Sequence, residues 1–191
     1  MKNYFILHGS FGSPSGNWFP WLAGEIEKTK PSDMEESICY LPHMPTGVDC
    51  QNYENWELVF KAYLDSGLIG EETTVFAHSI APVFLCKFLI KHNVHVKRLV
   101  FVCGFNNYFI DGAENYNEVN KTMFLENGIE KIKDLCNDIA CIYSDNDPYV
   151  SFDAEKDFAD KVSHRKIVIK NGGHLNSGSG YNEFPLLKEF I

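Results

Sequence analysis

Six short runs rich in β-branched, aromatic and other apolar residues recur along the chain, at positions 4–7, 37–41, 73–77, 99–103, 139–143 and 166–169. Each is too short for a core helix and has the composition of a buried strand. Between them lie longer segments with apolar residues spaced three and four apart, at 18–28, 53–66, 82–92, 120–135, 154–161 and 185–190. In 53–66, Trp56, Val59, Phe60 and Tyr63 form one stripe while Glu54, Glu57, Lys61 and Asp65 fall on the opposite face, the pattern of a helix that covers a sheet. In 82–92 the residues Val83, Phe84, Leu85, Cys86, Phe88, Leu89 and Ile90 leave almost no polar face before Lys91 and His92, which predicts a helix packed near the middle of the sheet. The alternation predicts an α/β fold: a mostly parallel sheet of about six strands with helices on both faces. No repeat, low-complexity tract or Pro/Gly/Ser linker divides residues 1–191, so one domain is expected. The one long departure from short connections, 104–120, is rich in Asn, Phe and Tyr and reads as a functional loop or abbreviated lid.

Composition narrows the partners. The 191 residues are 45% hydrophobic, enough for a substantial core, and 17 basic against 26 acidic residues give a net charge of −9. That balance works against binding a polyanion, so neither nucleic acid nor an anionic membrane is expected, and a small-molecule substrate is. The six cysteines, at 39, 50, 86, 103, 136 and 141, form no C-x-x-C pair, and Cys86 and Cys103 sit inside apolar runs. A reduced, cytoplasmic protein is expected, with no protein partner indicated. No signal-peptide pattern opens the chain and no apolar run reaches membrane-spanning length. His43, His92 and His95 do not combine with nearby Asp, Glu or Cys into a metal pattern, and the glycine-rich stretch 9–16 lacks the Gly-Lys-Ser/Thr ending of a phosphate loop; neither metal nor cofactor is expected.

Chemistry first shows at Phe76-Ala77-His78-Ser79-Ile80-Ala81-Pro82. A strand ends on a serine, a helix can begin at once, and Pro82 suits its first turn, where a missing N–H costs nothing. A serine on so sharp a turn projects its hydroxyl above the carboxyl edge of the sheet. The helix start brings the N–H of Ile80 to where an oxyanion would form. Ser79 is therefore the candidate nucleophile. It needs a base, and a neutral imidazole needs a carboxylate to fix its tautomer. Asp145 and Asp147 follow the strand at 139–143, and His174 lies in a glycine-rich loop after the last strand, giving the order Ser, Asp, His. His164 is the rival base, placed before the last strand and so toward the other end of the sheet. Asp145 is the rival acid, with capping of its own turn by local N–H groups as its expected role.

These segments resemble the α/β-hydrolase superfamily, and specifically the small bacterial serine hydrolase family that includes retinoblastoma-binding protein 9. The likeness spans nearly the whole chain and rests on His8-Gly9-Ser10-Phe11-Gly12-Ser13-Pro14 with Trp18-Phe19-Pro20-Trp21-Leu22, on Ala77-His78-Ser79-Ile80-Ala81, on Asp147-Pro148-Tyr149-Val150 and on Gly173-His174-Leu175-Asn176. The resemblance implies a compact three-layer hydrolase with Ser79 as nucleophile, His174 as general base and Asp147 orienting the ring. Its opening loop implies a second oxyanion donor, for which the N–H groups of Ser10 and Phe11 are the candidates beside Ile80. Where the family usually has glycine the elbow has Ala77 and Ala81. Trp18, Phe105, Tyr108 and Phe109 are the expected walls of an acyl pocket. The implied reaction is hydrolysis of a small-to-medium acyl ester or related carbonyl compound through an acyl-enzyme. A binding protein on the same fold and an acyltransferase are the alternatives.

Overall fold

The computed structural model describes residues 2–29, 37–107 and 114–191. Six strands, β1 (Lys2–Leu7), β2 (Ser37–Tyr40), β3 (Thr74–His78), β4 (Arg98–Val102), β5 (Ile139–Ser144) and β6 (Arg165–Ile169), form one sheet in the order β2-β1-β3-β4-β5-β6. Every pairing is parallel. The helices are α1 (Phe19–Lys28), α2 (Tyr53–Asp65), α3 (Ala81–His92), α4 (Glu114–Asn120), α5 (Ile132–Leu135) and α6 (Phe152–Val162).

Side-chain alternation divides the core in two. Phe5, Leu7, Val75, Ala77, Leu99, Phe101, Ile139 and Cys141 face one way, onto Trp56 and Phe60 of α2, Phe84, Phe88 and Leu89 of α3, and Phe158 of α6. Tyr4, Ile6, Phe76, Val100, Val102, Ala140 and Ile142 face the other way, onto Phe19, Leu22 and Ile26 of α1 and onto Leu187 and Phe190 of the last turn. Because both faces are covered, the central strands read as continuous apolar runs. Edge strand β6 is largely exposed and carries Arg165 and Lys166, charges that discourage a second sheet from adding to that edge.

Local chemistry sets the helix ends. The Asn52 side chain accepts the N–H of Asn55 to start α2, and Ser151 accepts that of Ala154 to start α6, each satisfying an otherwise orphaned donor. Asn93 closes α3 in the left-handed conformation at φ 51°. The predicted helix over 120–135 is not one helix. α4 ends at Asn120, residues 121–128 are not helical, and Gly128 at φ 78° precedes a 3₁₀ turn (Ile129–Lys131) that leads into α5. Segment 185–190 is likewise a 3₁₀ turn. The expected loop over 104–120 thus ends in a helix.

The strand order also locates the working end of the molecule. The chain moves outward from β1 to β2 and returns to β3 on the other side of β1. The connections leaving β1 and β3 therefore diverge to opposite faces and open a crevice at their carboxyl ends.

Candidate active site

Ser79 stands at that crevice. Its N–H continues the ladder by donating to the Val102 carbonyl at 2.9 Å, and its backbone turns to φ 64°. This left-handed conformation is uncommon for a residue with a side chain and persists only where the surroundings enforce it. Here β3 and β4 hold the preceding residues, and α3 begins two residues later with Pro82 in its first turn. Ala77 and Ala81 are fully buried on either side of the turn. The opening loop passes close enough that a Cβ on Gly9 would stand 2.6 Å from the Ser79 Cβ.

The Ser79 hydroxyl donates to His174 Nε2 at 3.1 Å, and His174 Nδ1–H donates to Asp147 Oδ2 at 2.5 Å. The other Asp147 oxygen accepts the N–H groups of Tyr149 (2.8 Å) and Val150 (3.1 Å). Burial works against the Asp147 charge, but the His174 ring and the two N–H donors outweigh it and hold its pKa below the usual carboxylate value. The ring therefore has a fixed tautomer, with its Nε2 lone pair aimed at the serine.

The loops that carry acid and base are stitched together. Ser144 Oγ accepts the Gly172 N–H (2.9 Å), Asp145 Oδ1 that of Asn171 (2.7 Å), and Asn146 Oδ1 that of Gly173 (2.8 Å). Asp145 is thus an N–H acceptor, but its partner lies in the histidine loop rather than in its own turn. His164 is exposed and precedes β6, at the opposite end of the sheet from Ser79.

Two histidines beside the triad are committed elsewhere. His78 Nε2–H donates to the His174 carbonyl at 3.0 Å and its ring packs on that of His174. Burial, reinforced by the neighbouring His174, lowers its pKa to about 3 and keeps it neutral. His8 Nε2 accepts the Met44 N–H, which leaves Nδ1–H to donate to the Gly9 carbonyl. It is a strand-end residue satisfied by backbone.

Of the oxyanion candidates, the Ile80 and Ser10 N–H groups make no hydrogen bond among the described residues, and Ser10 lines the cavity above Ser79. The Phe11 N–H is not available, because it donates to Gln51 Oε1 at 2.8 Å, and the Phe11 ring leans outward against Tyr116. The amide of Gln51 also donates to Asn120 Oδ1 (2.8 Å), which accepts the Ser10 hydroxyl as well (2.9 Å). This bridge of residues from three distant segments fixes the loop after β1. Nothing in the local sequence marks Gln51 or Asn120.

The cavity holds about 320 Å³ and is lined by Gly9, Ser10, Gly12, Asn17, His78, Ser79, Tyr116, Tyr149, His174 and Asn176. Trp18 and Phe105 are not among its walls. Trp18 is 0% exposed, packed on Phe19, His78 and Phe184, with its indole N–H on the Leu175 carbonyl. Phe105 is 1% exposed and packs on Phe124. Both are core residues because the sheet's two faces had first claim on their bulk. Tyr108 and Phe109 lie outside the described residues. The aromatic walls the structure does provide are Tyr116 and Tyr149, the latter 54% exposed and edge-on to the His174 ring.

Among the described residues one trio offers metal-ligand atoms within 4.8 Å of one another: Cys103, Asp147 and His174. Asp147 and His174 are already committed to each other, and burial together with nearby carboxyls pushes the Cys103 thiol well up, so it stays protonated. The donor set is a poor fit to a metal ion.

Residues 4–191 match the serine hydrolase family. The chain belongs to that family. This serine hydrolase is 22% identical over 192 residues to the ydeN gene product of Bacillus subtilis, covering all of this chain and 94% of the relative. The crystal structure of that product superposes with a TM-score of 0.82 over 99% of this chain and 96% of the other. Est1E from Butyrivibrio proteoclasticus (TM-score 0.68, 13% identity, 98% and 84% covered) and the carboxylesterase CesB from Bacillus subtilis (0.60, 13%, 97% and 82%) share the fold. The α/β-hydrolase architecture is common to all of them. No helix among the described residues of this serine hydrolase is long and apolar enough to cross a membrane.

Proposed function

We propose that this serine hydrolase is a carboxylesterase-like enzyme that cleaves small-to-medium acyl esters by two-step acyl transfer. One observation carries the reading: the unbroken chain from Ser79 Oγ through His174 to the Asp147 carboxylate, open to a cavity of about 320 Å³. His174 takes the hydroxyl proton as Ser79 attacks the carbonyl carbon, and Asp147 stabilises the imidazolium. The Ile80 and Ser10 N–H groups receive the developing oxyanion. The imidazolium then protonates the leaving alcohol, and water activated by the same ring releases the acid. The volume suits a modest acyl group, and the likeness to an enzyme named as a carboxylesterase favours an ester over an amide. Six free cysteines fit a reducing compartment such as the cytoplasm.

Treatment with a fluorophosphonate probe, read by intact mass, tests the nucleophile without knowing the substrate. One stoichiometric adduct is expected, absent in Ser79→Ala and His174→Ala, followed by turnover of short-chain esters that declines with acyl length. A well-folded parent without an adduct would refute the reading and favour a binding protein on this scaffold. Product that changes when alcohols are supplied would identify an acyltransferase.

A further inference from the structure

The core-facing stripe of α6 is Glu155, Phe158, Ala159 and Val162, positions i, i+3, i+4 and i+7. Three are apolar, as a helix covering a sheet requires; the first is a glutamate, 1% exposed. Carboxylates almost never sit there unless paired with a cation. Glu155 has no such partner, and neither of its oxygens makes a hydrogen bond of ordinary geometry among the described residues. Its neighbours are the Asp147 carboxylate from the loop before α6, the Cys103 thiol at the end of β4, the more remote Cys141 thiol of β5 and the backbone at Ser144. Cys103 Sγ is in turn within 4.8 Å of the facing atoms of Asp147 and His174. Glu155 therefore adjoins the Asp147 and Cys103 side of this cluster.

We propose that Glu155 is a positioning residue, held as the neutral acid beside Asp147, and that its retained proton allows Asp147 alone to carry the charge that orients His174. The inference rests on the triad reading above. A second anion at this place would have only the weak Cys103 thiol and the Ser144 backbone to hold it, and it would repel the Asp147 carboxylate, which the Tyr149 and Val150 N–H groups fix in place. Relief could come only by moving α6 or the acid loop, and either shifts His174 from Ser79. Burial and the Asp147 charge raise the Glu155 pKa to about 9, so the neutral form prevails at pH 7.

The test is the alkaline limb of kcat/KM for a short-chain ester, measured on the whole protein beside Glu155→Gln, with fluorophosphonate labelling at pH 7 as the separate check on Ser79. In the parent, kcat/KM should fall reversibly above about pH 9, approaching tenfold per pH unit as for a single ionisation. In Glu155→Gln, which keeps shape and neutrality but cannot ionise, the limb should disappear. Infrared spectroscopy of the parent supplies a readout should that variant fail to fold. A carboxylic-acid C=O stretch should persist at pH 7 and vanish on titration through about pH 9. An alkaline limb that survives in Glu155→Gln, or a parent with no protonated carboxyl at pH 7, overturns the proposal. Normal labelling of Ser79 in the same samples would leave the hydrolase reading standing.

Discussion

Gly9→Ala is the most direct probe of how finely the opening loop is fitted to the nucleophile. The added methyl would stand 2.6 Å from Ser79 Cβ, 3.2 Å from Ser79 Oγ and 3.2 Å from the His78 carbonyl. Carbon atoms rest at about 3.5–4.0 Å, so the loop and the elbow must part by about 1 Å. Ser79 is poorly placed to absorb the shift elsewhere, since its strained backbone is pinned by the Val102 carbonyl. A misplacement of about 1 Å at a reacting group costs on the order of 100-fold in rate, or about 3 kcal/mol of barrier. The assay is kcat/KM for an activated short-chain aryl ester, with the fluorophosphonate labelling rate and a thermal melt alongside. The expected result is a loss of about two orders of magnitude in both rates from a protein that still melts cooperatively. Gly24→Ala is the control: an added methyl in α1 meets nothing within 4 Å, and helix propensity should raise stability by about 1 kcal/mol without changing kcat/KM. Parental activity in Gly9→Ala would refute the argument that this glycine is required by the close approach to Ser79.

Two further outcomes follow from the neighbouring groups. In Asp147→Asn the backbone N–H groups of Tyr149 and Val150 should retain the amide oxygen and turn the NH₂ toward His174, forcing the tautomer that cannot accept the serine proton; kcat at pH 7 should fall by about four orders of magnitude with little change in melting temperature. His78 is depressed from 6.5 to about 3 by burial first and His174 second, so the unfolded chain binds the extra proton earlier and the stability His78 contributes is present above pH 6.5 and lost as pH falls toward 3. By pH 4.5 the loss is about 3 kcal/mol, and denaturant melts of His78→Gln, which keeps an amide donor for the His174 carbonyl, should show a flatter acid limb than the parent; coincident limbs would contradict this.

The strands and the triad segments were legible because their signals are local. Val75, Phe76 and Ala77 announce a buried strand, and a serine between that strand and a proline-led helix can only sit on a tight turn. The order of Ser79, Asp147 and His174 then narrows the partners. What escaped was decided by contacts between distant segments. Gln51 meets Phe11 across 40 positions and Asn120 across 69, and no short window contains that information. Trp18 and Phe105 show the same limit from the other side. A large aromatic beside a strand end has the composition of a pocket wall and of a core residue alike, and only the packing of α1 and the sheet chooses between them. The 120–135 segment keeps helical spacing in its sequence, yet its backbone leaves the helix from position 121 and resumes helical turns only after Gly128.

The pairing of residues 144–147 with 171–174 has a mechanical consequence. Four neighbouring side chains on one loop each clasp a different member of a four-residue stretch on the other, the last clasp being Asp147 on His174. Asp147 and His174 are therefore tied to each other through both loops, apart from the turn that carries Ser79. Beyond the shared sheet, the side-chain links between the two parts include the Ser79 hydroxyl on His174 Nε2 and the His78 ring on the His174 carbonyl. Alignment of the three groups thus depends on these two bonds as well as on the sheet. Sequence drift that loosens a single clasp among Ser144, Asp145 and Asn146 leaves the other clasps in place, while a change at His78 removes a contact to His174 that none of them duplicates.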